Sequence, residues 1–216
     1  MTEVAQQLQP SHKAKRLRLY YPVIKRFVDI IISSLGLIVL LILFPFLALA
    51  IKLDSSGPVI FSQTRIGRNM RPFKMYKFRT MLPNAEDLVD QLPSDNDSPF
   101  LQRDNDPRVT KAGKFLRRLS LDEFPQFFNI LKGDMSFIGP RPFVPSEVEQ
   151  LRPEHLRRHI VRPGLTGYAQ IHGRNDLSLE GRMEKDLFYV DNITMWLDIK
   201  ILLITIWVTY TRKGAY

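Results

Sequence analysis

Between Ile30 and Ile51 the chain reads Ile-Ile-Ile-Ser-Ser-Leu-Gly-Leu-Ile-Val-Leu-Leu-Ile-Leu-Phe-Pro-Phe-Leu-Ala-Leu-Ala-Ile, without one charged residue. As a helix, such a run reaches across a bilayer core of roughly 30 Å, and a helix that is apolar on every face has no place on the surface of a soluble domain. Three readings compete. A secretory signal would be cleaved near Ala48-Leu49-Ala50, but the apolar run is too long and the polar region before it too extended. A spanning helix is the ordinary case. Basic residues nevertheless flank both ends, Lys25 and Arg26 before the run and Lys52, Arg65, Arg68, Arg71 and Lys74 after it, so charge sets no orientation. A segment that enters and leaves by one face fits those flanks, and Pro45 supplies a break by removing a backbone donor. The carbonyls freed by a break need partners in lipid, a role for Ser33 or Ser34 only if they turn back on their own helix. Elementary physics leaves the spanning and re-entrant readings equal.

The rest of the chain has room for one ordinary domain and no more, at 216 residues in all. Its 31 Lys plus Arg against 22 Asp plus Glu leave a net charge of +9, a bias towards anionic partners such as nucleic acid, lipid head groups or phosphorylated substrates. No cysteine is present, which excludes disulfides and thiolate metal sites. His155 and His159 fall four apart on a predicted helix but lack a zinc-motif frame, and are read as solvated. The first 24 residues read as a basic tail, suited equally to anionic lipid or to plain solvent. At the edge of the apolar run, Lys25 and Asp29 have the spacing of a helical ion pair and read as an anchor.

Asp54-Ser55-Ser56-Gly57-Pro58 is dense in turn formers and ends the first helix. Val59–Arg68 and Pro72–Met81 alternate around a Gly/Asn-containing turn and predict a β-hairpin, with Lys77 and Arg79 on one face as either a phosphate site or its solvated side. Residues 83–107, rich in Asp, Asn, Ser and Pro, predict a loop with a short helix at Glu86–Leu92; the spacing of a calcium loop is missing. Lys111–Leu119 predicts an amphipathic helix. Then follow Ser120-Leu121-Asp122-Glu123-Phe124-Pro125-Gln126, adjacent carboxylates next to Arg117 and Arg118. Ser120 and Glu123 fit a capping box as well as the carboxylates fit catalysis. Pro125 suits a first helical turn, so a helix is predicted to begin between Ser120 and Asp122, with its dipole holding Asp122 ionised. Neighbouring helical residues point about 100° apart, so only one of the pair can attack a given phosphorus.

Gly139-Pro140-Arg141-Pro142 is stiff and projects Arg141 in a fixed direction, as bidentate phosphate binding requires. A helix is predicted over Ser146–His159, a short strand within Arg162–Asn175, and a helix over Glu180–Tyr189 that carries Asp186. Ile193–Tyr210 is apolar but interrupted by Asp198 and Lys200, with Trp196 and Trp207 placed for a head-group boundary, and reads as a helix lying on a membrane.

Several motifs, met in order, resemble the bacterial sugar transferase family of monotopic polyprenyl-phosphate phosphoglycosyl transferases. They are Lys25-Arg26-x-x-Asp29, the broken apolar run, Tyr76-Lys77-Phe78-Arg79-Thr80-Met81, Ser120-Leu121-Asp122-Glu123, Lys132-Gly133-Asp134-Met135-Ser136, Gly139-Pro140-Arg141-Pro142, Arg162-Pro163-Gly164-Leu165-Thr166-Gly167 and His172-Gly173-Arg174-Asn175. The resemblance runs from Lys25 to the C-terminus and is to the minimal form of the family. One departure is Phe44 before Pro45, where some relatives have Ser.

The resemblance implies an α/β membrane-associated fold. A basic tail (1–24) leads into a re-entrant helix-break-helix anchor (25–53) that uses Lys25, Arg26, Asp29 and Pro45. A cytosolic domain (54–216) follows, small and mostly helical, with a short β-hairpin and interfacial amphipathic helices. It implies transfer of a sugar phosphate from a UDP-sugar to polyprenol phosphate, with Asp122 as nucleophile and Mg²⁺ ligand and Glu123 beside it. Lys77, Arg117, Arg141 and Arg174 match its basic positions, and Arg79, Asp186 and Asp198 are further candidates for substrate contact. Implied partners are the donor, the acceptor and inner-membrane lipid, with no nucleic acid and with a homodimer allowed. The implied place is the bacterial inner membrane, with the catalytic domain on its cytoplasmic face. A non-catalytic basic peripheral membrane protein is the alternative; it accounts for the charge and the apolar run but not for the carboxylate pair among stiff arginines.

Overall fold

The computed structural model describes residues 21–83, 85, 106–173 and 177–211. The predicted helix at Glu86–Leu92 and Arg174 lie outside them. Helix α1 (Tyr21–Asp54) is followed by the hairpin β1 (Ile60–Ile66) and β2 (Pro72–Phe78), then α2 (Lys111–Arg118), a 3₁₀ turn at Leu121–Glu123, and α3 (Gln126–Lys132). Next come β3 (Ser136–Ile138), α4 (Pro145–Glu149), a 3₁₀ helix at Pro153–Ile160, and β4 (Gly164–Thr166). The chain then forms α5 (Tyr168–Ile171), α6 (Leu179–Asp191) and α7 (Met195–Thr211). β1 and β2 pair antiparallel and β3 and β4 pair parallel, as separate two-stranded sheets.

The hairpin and α2 form where periodicity places them. The helix predicted over Ser146–His159 instead divides into α4 and the 3₁₀ helix. Pro153 is the cause, since proline drives the residue before it out of helical conformation, and Arg152 is extended at φ −66° and ψ 152°. His155 and His159, expected to be solvated, are buried. Burial and the neighbouring Arg158 lower the His159 imidazole to about 3, so it is neutral in the folded protein.

Helix α1 is long and apolar enough to cross a membrane and continues through Pro45. It meets the domain along one stripe. At the N-terminal end Lys25 pairs with Asp198, and the Arg26 guanidinium donates to the Ile130 and Leu131 carbonyls at 2.5 and 2.6 Å. Asp29 accepts from Ser136 Oγ and the Phe137 amide at 3.1 and 3.0 Å. Farther along, Gly36 lies against the Phe127 ring, where a Cβ would come within 2.4 Å of it. Leu40, Leu47 and Ile51 then pack with Phe78 and Leu116, and Asp54 accepts from the Ala112 amide at 2.7 Å. Steps of three, four and seven keep these residues on one helix face. The other faces expose Phe27, Leu35, Leu41, Ile42, Phe46 and Leu53.

The expected Lys25–Asp29 anchor pair is therefore replaced by long-range partners for both side chains. Ser33 does turn back on its own helix, donating to the Asp29 carbonyl at 2.6 Å. On α7, Ile201 and Asp198 face inward, while Trp196, Leu203, Ile206 and Trp207 are exposed.

Candidate active site

Alternation along β2 buries Phe73 and Met75 against Ile130 and Met135. Lys77 shares their parity and emerges at the outer end of that face. α3 is held in register on β2 by Asn129, which is fully buried. Its amide donates to the Lys74 carbonyl at 2.7 Å and its oxygen accepts from the Tyr76 amide at 3.0 Å, satisfying the strand edge that β1 does not cover. Arg26 and Gly133 close the far end of α3, Gly133 by adopting φ 97°. This places the turn before α3 beside Lys77, whose ammonium donates to Glu123 Oε1 at 2.8 Å.

The turn does not have the expected form. Ser120 is left-handed, at φ 55° and ψ 21°, and makes no side-chain cap bond; α3 starts at Gln126 with Pro125 as its N-cap. A left-handed residue stops α2 and redirects the chain within a few residues, which a capping box, needing an extended cap, cannot do. Helix dipole is thus not what governs Asp122. Burial, reinforced by Glu123, raises its carboxyl above the ordinary range, against the pull of Lys77 and Arg117. Glu123 moves the other way: burial pushes it up, but Lys77 and Arg141 outweigh that and hold it below its usual value. The adjacent carboxyls are electrostatically distinct, one paired with a lysine and the other with no hydrogen bond to another side chain among the described residues.

Arg117 lies on the inward face of α2, where Nε donates to Thr80 Oγ1 at 3.0 Å. A recess is lined by Lys77, Glu123 and Gln126 and by Arg65 and Arg141. The Arg141 guanidinium is half-buried and has no hydrogen-bond partner among the described residues. Arg65 was not among the residues singled out by motif. Burial and the neighbouring Arg141 lower it to about 10, leaving it charged at neutral pH. Its Nη1 donates to the Pro142 carbonyl at 3.1 Å.

The structure thus gathers Asp122, Glu123, Lys77, Arg117 and Arg141. It does not gather the other described candidates. Arg79 is buried and donates to the carbonyls of Ser55 and Ser56 at the end of α1. Asp186 is 1% exposed, and its Oδ2 accepts from Arg158 Nε and Nη2 at 3.0 and 2.8 Å. Asp198 takes Lys25 and accepts from the Tyr189 hydroxyl at 2.8 Å, joining α7 to α1 and α6.

One ionisable carboxyl lodged between cationic side chains, with a recess of guanidinium groups alongside, is a constellation for attack on or transfer of phosphate. The bacterial sugar transferase family model matches residues 20–212. The chain belongs to that family. Among its relatives, the UDP-glucose:undecaprenyl-phosphate glucose-1-phosphate transferase of Klebsiella pneumoniae is 45% identical over 90% of this chain and 42% of its own length. The UDP-N-acetylgalactosamine-undecaprenyl-phosphate N-acetylgalactosaminephosphotransferase of Aeromonas hydrophila is 42% identical over 90% of this chain and 45% of its own length. The chain spans less than half the length of these two relatives. The uncharacterized sugar transferase EpsL of Bacillus subtilis matches almost end to end, 39% identical over 89% of this chain and 90% of its own. Nothing in these likenesses supports the non-catalytic alternative.

Among the described residues no group of three or more His, Cys, Asp or Glu gathers, so these residues form no protein-only metal cage. The donor set fits a hard cation that takes a carboxylate oxygen from the protein and the rest of its ligands from phosphate and water, the usual mode of Mg²⁺.

Proposed function

We propose that this bacterial sugar transferase moves a sugar 1-phosphate from a UDP-sugar to a polyprenol phosphate, yielding UMP and a polyprenol diphosphate sugar by way of a covalent intermediate on Asp122. The observation that carries the reading is the Asp122–Glu123 pair. Glu123 is held ionised by Lys77, while Asp122 has no hydrogen bond to another side chain among the described residues and lies within the fields of Lys77 and Arg117. A carboxylate oxygen of Asp122 attacks the β-phosphorus. The bond from that phosphorus to the oxygen bridging the two phosphates breaks, and UMP leaves with the electron pair. An oxygen of the polyprenol phosphate then attacks the same phosphorus, and the acyl phosphate bond breaks to restore the carboxylate.

Lys77, Arg117 and Arg141 offset the charge that develops on the phosphoryl oxygens, the largest contribution a pre-arranged site makes. Arg174, beyond the described residues, is assigned the same task from its motif. Asp122 and the substrate phosphates would hold Mg²⁺, which supplies charge neutralisation when bound. Asp186 and Asp198 are assigned no substrate contact, because both are consumed by buried partners. We assign the domain to the cytoplasmic face of the inner membrane, with both ends of α1 on that face; the ties of both ends to one body support this over a spanning arrangement.

Purified full-length protein incubated with a UDP-sugar, Mg²⁺ and polyprenol phosphate is expected to release UMP, and Asp122→Asn to reduce turnover by at least about a thousandfold. Mass spectrometry of enzyme plus donor without acceptor should show a phosphosugar adduct. Normal turnover by Asp122→Asn would falsify the reading, and turnover without any adduct would reduce it to direct transfer.

A further inference from the structure

Each of residues 140–143 is held by its carbonyl. The Pro140 carbonyl accepts from the Gly164 amide at 2.9 Å, that of Arg141 from Arg158 Nη2 at 2.7 Å, that of Pro142 from Arg65 Nη1 at 3.1 Å, and that of Phe143 from the Ile66 amide at 2.8 Å. Pro140 and Pro142 have no amide hydrogen to donate. In the midst of them the side chain of Arg141, without a hydrogen bond among the described residues, lines the recess beside Glu123.

Arg158 holds the middle of this segment and is itself held. It is 2% exposed, Asp186 accepts from both its Nε and Nη2, and its guanidinium lies 3.9 Å from the centre of the Phe143 ring. Two bonds to one carboxylate and a ring against its face fix the guanidinium plane, which leaves Nη2 aimed at the Arg141 carbonyl. The preceding proline limits the backbone on one side and the following proline restricts Arg141 itself to extended conformations. The freedom left is the rotation that turns the peptide plane between Arg141 and Pro142, and the bond from Arg158 sets it. A buried ion pair is a poor stabilising device, since apolar residues of similar volume often do as well or better. That leaves its directional effect on the Arg141 carbonyl unaccounted for by stability.

We infer that Arg158 and Asp186 are positioning residues for the proposed phosphate chemistry: they touch no substrate and act by clamping the Arg141 carbonyl so that the Arg141 guanidinium meets the donor phosphates. The inference rests on the function proposed above. It predicts that the pair matters through Arg141 and not through the stability of the fold.

The test is a mutant cycle on the full chain, read as UMP release with donor varied. In the background Arg158→Met with Asp186→Leu, the melting temperature should stay within about 5 °C of the parent, while kcat/KM for the donor falls at least about tenfold. Adding Arg141→Ala to that background should cost less than about threefold, although in the parent it costs at least about tenfold. A full Arg141→Ala effect in both backgrounds, or an unchanged kcat/KM in the double variant, overturns the inference. Should the double variant not fold, Arg158→Lys serves for the same cycle. It keeps the charge opposite Asp186 but cannot hold carboxylate and carbonyl in one plane, and the same loss of Arg141 dependence is expected. Absence of UMP release by the parent would instead count against the function, whereas an active parent with additive variants counts against the clamp alone.

Discussion

Asp122 is costly for the fold in which it sits. Burial and Glu123 raise its carboxyl above the value it has in an unfolded chain, so the folded state binds that proton more tightly and loses stability as pH rises through the folded value. Asp122→Asn removes the charge and its repulsion from Glu123 together. It is expected to raise the melting temperature by a few degrees at pH 7–8, about 2–4 °C per kcal/mol for a chain of this size, while turnover is lost. The gain should shrink as pH is lowered through the folded pKa of Asp122, and equal melting temperatures at pH 8 would contradict the account. That Asp122, Glu123, Lys77 and Arg141 come together is legible in the sequence because they fall in compact motifs. Direction was not legible: Arg79, Asp186 and Asp198 display the same charge chemistry, and their partners lie 24, 28 and 173 residues away. Asn129 is hidden in the sequence for the same reason, as its partner Lys74 is 55 residues distant and no local pattern marks the pair.

Where α1 ends, the last carbonyls of a helix need donors, and Arg79 donates from the end of the hairpin to the Ile51 carbonyl in the last turn and to those of Ser55 and Ser56 just beyond it. The approach depends on Gly57. It has φ 111°, and a Cβ there would fall 2.2 Å from Arg79 Nη1. Gly57→Ala combines left-handed strain with displacement of a buried guanidinium, and a loss of at least about 1–3 kcal/mol is expected, measured as a lower denaturation midpoint. A variant as stable as the parent would show that Arg79 does not cap α1. Strands and helices with a regular apolar period could be read from sequence, as β1, β2, α2 and α6 were. The turn at Ser120 could not, because Ser120, Glu123 and Pro125 satisfy the local rules for a helix start, and the need to reverse direction between α2 and α3 overrides them. A similar override separates α4 from the helix after it, where Pro153 interrupts a favourable pattern.

For the molecule as a whole, α1 decides how the domain meets a membrane. Its inward stripe is polar at both ends and apolar between them, and the same body receives all three. The chain has no cysteine, so single introduced thiols report position without background. Ser11→Cys in the tail and Ser56→Cys after α1 are expected to react with a membrane-impermeant maleimide in sealed inverted vesicles and to be protected in right-side-out ones. Opposite protection of the two would establish a spanning helix. The stripe also sets an order of events during synthesis. Lys25 is made 173 residues before its partner Asp198, an interval of about 9–35 s at roughly 5–20 residues per second. The apolar faces of α1 are complete once Asp54 is made and seek lipid for most of that time, while the ion pair that locks its charged end waits for α7, the last described helix. Insertion precedes docking, and the closing of Lys25 on Asp198 marks the moment at which anchor and catalyst become one object.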